Sequence, residues 1–200
     1  MTATVETASE TPVVLKARAA GGLYVISVVT AVTGEFVAKG KLGFFAGVVV
    51  PIACYAAVTL LLYGILRVVN RRLAWVALAF GLAGLACEAL QLQSRGVNLG
   101  MVFHGFFCVL TGFLIMRARF LPHVLGALMA QGGLVWLLDL LPELARHVSP
   151  FNTMAGLAGE GLPMLWLLAM GVNAEKWQEQ AAACVKKPGS PAQVKPGPMP

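Results

Sequence analysis

Glu35, Glu88, His104, Asp139 and Glu160 all fall within or at the edges of long apolar stretches, and Gln91 stands beside them. A charged side chain at the middle of a bilayer costs at least about 2.5–3.5 kcal/mol, so such residues face the protein interior and commonly mark function. Carboxylates and an imidazole at one depth offer proton exchange, hydrogen bonding to a polar ligand, or metal ligation. His104 and Cys108 are four apart and share a helix face. With Glu88 and Glu160 they supply donors of the kind that fill a tetrahedral shell. Against a metal stands the single histidine at this depth, with no H-E-x-x-H or Glu-x-x-His pair. His123 is expected at a span edge and His147 in a loop, so a bis-His haem lacks its second ligand. Nor is there a P-loop, a nucleophile elbow or a dinucleotide fingerprint. No catalytic residue, metal ligand or cofactor is assigned. The candidate ligand or ion pocket is Glu35, Glu88, Gln91, His104, Asp139 and Glu160.

The elements that must position these groups are membrane helices. Of the 200 residues, 58% are hydrophobic and only 12% charged, whereas an ordinary soluble domain is about one quarter charged. Apolar stretches at residues 19–38, 44–69, 73–92, 97–116, 124–141 and 153–172 have the length of bilayer spans. Backbone groups in lipid must be satisfied within the segment, which selects helices, and no stretch alternates as a membrane barrel strand does. The expected fold is all-α, a polytopic membrane bundle of six transmembrane helices. Its division is a flexible arm at residues 1–15, a transmembrane domain at 16–178 and a disordered Pro/Lys-rich tail at 179–200. Glu6 and Glu10 stand where a cleaved signal would be basic.

A net charge of +6 invites a nucleic-acid reading, and the placement of the charges argues against it. Lys16 and Arg18 precede the first span, Arg67, Arg71 and Arg72 follow the second, Arg117 and Arg119 follow the fourth, and Lys176 follows the sixth. The opposite loops carry Lys39, Lys41, Arg95 and Arg146. Positive charge gathers on the cytoplasmic side, which puts both termini of this multi-pass chain inside the cell. All five acidic or imidazole residues then belong to the outer half. Cys54, Cys87, Cys108 and Cys184 form no C-x-x-C pair and read as small core residues, not as a disulfide framework.

Pro51 is expected to kink the second span about two turns inside its outer end, and Pro163 to bend the sixth and free the carbonyl of Gly159 beside Glu160. Small and polar residues share stripes: Gly81, Gly84, Glu88 and Gln91; Gly132, Trp136 and Asp139; Gly156 and Glu160. Small residues let membrane helices approach closely, and polar ones hydrogen-bond across the gap. Three readings of the polar group stay open: a plug that fixes helix register, a cavity for a small ligand, lipid or proton, and a metal or catalytic centre. The expected function is binding or moving a small ligand, lipid or proton through a polar pocket. The alternatives are a structural or accessory subunit of a larger membrane complex and an intramembrane metal-dependent enzyme. Expected partners are the lipid bilayer, and a small ligand or other membrane subunits; nucleic acid is not one.

Motifs in order along the chain carry a resemblance. They are Arg18-x-Ala20-Gly21-x-Leu23-Tyr24, Arg67-x-Val69-Asn70-Arg71-x-Leu73-Ala74, Gly112-x-Leu114, and Leu121-Pro122-x-x-Leu125-Gly126. Gly133-Leu134 through Asp139 follow, then Gly159-Glu160, Leu165-Trp166-Leu167 and Gly171-Val172-Asn173. In order and spacing the chain resembles, over roughly residues 15–178, the bacterial membrane family catalogued as domain of unknown function 4386. The resemblance implies a small multi-helix inner-membrane protein with no assigned reaction. It marks Arg18, Gly21, Tyr24, Arg67, Asn70, Arg71, Pro122, Gly126, Trp166 and Asn173 as family-pattern positions, together with Asp139 and Glu160, and assigns none of them a role. Asn70 alone also reads as a helix cap or a turn residue.

Overall fold

The computed structural model describes residues 12–37, 45–94 and 96–185. Helix α1 runs Pro12–Val37, its proline in the first turn, where the missing N–H is not needed. A π-helical turn, Phe45–Val49, leads into α2, Val50–Leu66. Asn70 caps α3, Arg71–Ala89, by accepting a hydrogen bond from the Leu73 N–H at 3.1 Å. A two-residue antiparallel ribbon follows, β1 at Gln93–Ser94 and β2 at Val97–Asn98. Asn98 then caps α4, Leu99–Arg117, with its Oδ1 facing the N–H groups of Gly100 and Met101. Pro122 precedes α5, His123–Trp136, which tightens into a 3₁₀ turn at Leu137–Leu140. The short α6 spans Pro142–Val148, α7 spans Phe151–Ala169 and α8 spans Ala174–Val185.

The fold is all-α, as expected, with the small ribbon as its exception. Among the described residues, five helices are long and apolar enough to cross a membrane. A sixth crossing is reached when α7 and α8 count as one element bent by 104°. Helix α7 falls short alone because it carries Asn152, Thr153, three glycines and Glu160. Each long helix packs on the next in the chain, and α7 closes back on α1. The result is a ring of α1, α2, α3, α4, α5 and α7.

Glycine makes the tightest joints of this ring. A Cβ on Gly112 of α4 would lie 2.5 Å from the Ala130 nitrogen and 2.6 Å from the Gly126 carbonyl oxygen of α5. A Cβ on Gly159 of α7 would lie 2.7 Å from the Gly132 Cα and from the Leu128 carbonyl oxygen. Gly81 of α3 meets Thr59 and Phe107, and Gly156 meets the Trp136 ring. The small-residue stripes therefore face neighbouring helices, where backbone-to-backbone approach replaces side-chain packing.

The two ends of the ring differ. At the end bearing Arg67, Arg71 and Arg119, Leu62, Ile65, Leu66, Leu114, Ile115, Leu121 and Leu167 form a dense core. Gly171, at φ 67°, turns the chain there into α8. Helix α8 crosses this end and is tied down by Trp177 Nε1 donating to Ile65 O at 2.9 Å and by Gln180 Oε1 accepting from Arg119 N at 3.1 Å. Asn173 caps α8 at Lys176 N, 3.0 Å.

Several expectations need correction. Helix α1 begins at Pro12, inside the segment assigned to the arm, and α8 carries helix through residues 179–185, assigned to the tail. Short alanine-rich segments are helical when one edge finds anchors, as Trp177 and Gln180 do. Residues 1–11 and 186–200 lie outside the described residues. Pro51 sits in the first turn of α2, where the wide π turn ends, because a helix start does not require its missing N–H. Pro163, expected to bend the sixth span, lies inside α7 and is buried against the core, and the helix continues past it.

The joint at Gly112 gives a direct test. Gly112→Ala should lower stability by about 1–3 kcal/mol through overpacking. Gly64→Ala, where a Cβ meets nothing within 4 Å, should leave it unchanged or slightly raised. Reversible unfolding in mixed micelles would measure both.

Candidate functional site

The end of the ring opposite α8 is hollow. A cavity of about 280 Å³ lies among the later part of α1, the start of α2, the end of α3, the start of α4, Trp136 and the middle of α7. Its wall is mainly apolar and small: Val28, Ala31, Gly47, Val48, Ile52, Gly84, Leu85, Gly100 and Met101. Gln91 and Leu157 in its lining are exposed. Pockets that hold small molecules have this make-up, apolar walls with a few placed polar groups.

The polar groups gather at the floor. Glu160 of α7 is 3% exposed. Its Oε1 accepts a hydrogen bond from the Tyr55 hydroxyl of α2. Its Oε2 lies 3.2 Å from His104 Nε2 of α4. The same His104 nitrogen is 3.5 Å from Cys108 Sγ, one turn further along α4. Aromatic edges fix the imidazole and the phenol: Tyr55 meets His104 at 5.2 Å and 63°, and Tyr24 at 6.1 Å and 61°. Trp136 meets His104 at 6.2 Å and 69°. Edge-on contacts of this kind are favoured by ring quadrupoles and lock side-chain rotation. The Trp136 indole N–H is buried with no hydrogen-bond partner among the described residues.

Near the mouth, Glu88 Oε2 faces Asn98 Nδ2 at 3.5 Å, so the residue that caps α4 also steadies a cavity carboxylate. Gln91 adopts φ 51° as α3 ends, and its Nε2 donates to the Glu88 carbonyl at 2.9 Å. This left-handed residue breaks the helix and turns the chain into the ribbon.

Of the residues named from the sequence, Glu88, Gln91, His104 and Glu160 line this one cavity. Asp139 does not. It is half-buried on the 3₁₀ turn beyond Trp136, which packs on β2 and the start of α4, and Trp136 is the last side chain of α5 to reach the cavity. The side chain of Glu35 lies outside the described residues. Among family-pattern residues, Tyr24 lines the cavity, Gly21 touches Met164 and Leu168, and Gly126 packs on Gly112. Asn70 and Asn173 cap helices, Arg67, Arg71 and Pro122 are exposed at the α8 end, and Trp166 is exposed on α7. Sequence reasoning gave Tyr55 no role at the site. Its signal was a tyrosine deep in an apolar span, because a buried phenol needs a hydrogen-bond partner.

No curated protein and no solved structure matches the chain. The model of one family, described as Domain of unknown function (DUF4386), matches residues 84–171. That segment runs from the end of α3 through α7 and contains His104, Cys108, Pro122, Gly126, Asp139, Glu160 and Trp166. It is narrower than the 15–178 read from the motifs, and leaves Arg18, Gly21, Tyr24, Arg67, Asn70, Arg71 and Asn173 outside it. Over residues 84–171, then, the chain is similar to the domain of unknown function 4386, the family its motifs resemble.

Proposed function

We propose that this membrane protein binds, or moves across part of the bilayer, a small ligand, lipid or proton through the cavity floored by Glu160. The observation that carries this reading is a buried carboxyl with two hydrogen-bonding neighbours, Tyr55 and His104, at the bottom of an apolar-walled space that opens at one end of the ring. A plug whose only work was to fix helix register would not need the 280 Å³ beside it. Glu160 is the group that meets the ligand or exchanges a proton, His104 is its partner, and Glu88 with Gln91 stands at the entrance. The unpartnered Trp136 N–H adds a donor that a bound acceptor would satisfy.

In this reading the cavity opens away from the cytoplasm of a bacterial cell and both termini are cytoplasmic. The support is the crowd of Arg67, Arg71, Arg72, Arg117 and Arg119 at the opposite end. A cysteine placed at Met101, on the cavity wall, should react in intact spheroplasts with a small membrane-impermeant thiol reagent. A cysteine at Leu114, 1% exposed in the dense half, should not. Labelling of the Met101 position only in inverted vesicles would reverse the orientation.

The ligand itself is tested by native mass spectrometry of the full chain released gently from its own membranes. The expected result is a defined adduct that Glu160→Gln removes while the protein keeps its melting temperature. An adduct that survives Glu160→Gln would place binding elsewhere. Co-release of other membrane subunits with an empty cavity would favour the accessory role instead.

A further inference from the structure

Two cavity residues, His104 and Glu160, meet the buried Cys108 so that three metal-ligating atoms of different chemistry come together. His104 Nε2, Cys108 Sγ and a Glu160 carboxylate oxygen all lie within 4.8 Å of one another. Hydrogen bonding accounts for only part of this convergence. An imidazole nitrogen carries either one proton or one lone pair. If Nε2 donates to Glu160, it has nothing with which to accept from the Cys108 thiol. If its lone pair accepts from the thiol, Glu160 has no bond to it, and if it accepts from a protonated Glu160, the thiol has no acceptor there. A cation among the three satisfies all of them together.

Two of the three ligand separations agree with that arrangement, and the third, between Cys108 Sγ and the Glu160 oxygen, lies within 4.8 Å and would close to about 3.5 Å on a tetrahedral ion. Zinc bonds of about 2.0–2.1 Å to nitrogen and oxygen and about 2.3 Å to sulfur, set at tetrahedral angles, give ligand-to-ligand edges of about 3.3 Å for N–O and about 3.5 Å for N–S. The corresponding separations here are 3.2 Å and 3.5 Å. Helix α4 supplies two ligands from one face through the four-residue spacing, and α7 supplies the third. The Tyr55 hydroxyl holds the second oxygen of Glu160, as outer groups orient ligands in metal sites. A thiolate and a carboxylate with a dication sum to zero charge, which suits a centre buried in a membrane. Mixed imidazole, thiolate and carboxylate donors suit zinc rather than magnesium or calcium, which take oxygen ligands.

We propose that His104, Cys108 and Glu160 form a three-ligand site for a divalent ion of zinc's type, with the fourth position open to the cavity for water or a ligand group. Glu88, near the mouth, is not a ligand. The proposal rests on the reading of the cavity as a binding site and names what its floor takes up.

The test uses the full chain in lipid nanodiscs, stripped with a chelator and titrated with Zn²⁺ alone, then with Co²⁺ as a spectroscopic stand-in. One ion per chain is expected, and Co²⁺ should show a thiolate charge-transfer band. Cys108→Ser and His104→Gln should each weaken binding at least tenfold, and Tyr55→Phe by about tenfold as an outer-group loss. Absence of stoichiometric Zn²⁺ binding, a Co²⁺ spectrum without the thiolate band, or unchanged affinity in Cys108→Ser overturns the site. Should the variants unfold, the Co²⁺ spectrum of the unaltered protein decides alone. No zinc, together with an organic adduct lost in Glu160→Gln, would sink the metal and leave the cavity reading standing. No zinc and no Glu160-dependent adduct would end both.

Discussion

A carboxyl group sealed into an apolar bundle must find partners for both oxygens, and this requirement organises the hollow end of the protein. Glu160 meets it with Tyr55 from α2 and His104 from α4, so one side chain of α7 fixes two other helices at a common depth. The aromatic edges of Tyr24, Tyr55 and Trp136 then hold these groups in single orientations. In the cavity wall above them Gly47, Gly84 and Gly100 make close contacts, where an added Cβ would meet Gly34, the Gly100 carbonyl and the Glu88 carboxylate.

The rest of the ring makes that arrangement affordable. Apolar side chains gain little from meeting one another in lipid, so helix association there depends on close packing. The glycine joints between α4 and α5 and between α5 and α7 supply it by bringing backbones into contact. At the basic end, a dense leucine and isoleucine core and the crossing helix α8 close the ring. One end is thus solid and the other hollow, and the polar side chains that could do chemistry sit at the hollow end.

Much of this was legible in the sequence because lipid permits few solutions. Stretches of span length, glycine stripes, and Asn70 as a cap read directly from composition and spacing. That Glu88, Gln91, His104 and Glu160 share one half of the bundle followed from depth, since helices alternate in direction. Depth does not give azimuth, however, and Asp139 shows the difference: it has the right height but stands on a 3₁₀ turn that packs on β2 and α4. Tyr55 was hidden because a tyrosine counts as hydrophobic in any pattern, and only the third dimension reveals the carboxylate at its hydroxyl. The π turn before Pro51 and the helical α8 depend on contacts with distant segments, which local propensity does not contain.

The central claim, that the Tyr55–Glu160 contact ties α2 to α7, is tested most directly by a double-mutant cycle of Tyr55→Phe and Glu160→Met on unfolding free energy in micelles. The account predicts a coupling between about 0.6 and about 1.7 kcal/mol, the mean and the maximum found for hydrogen bonds between membrane helices. Losses that simply add, to within about 0.3 kcal/mol, would contradict it.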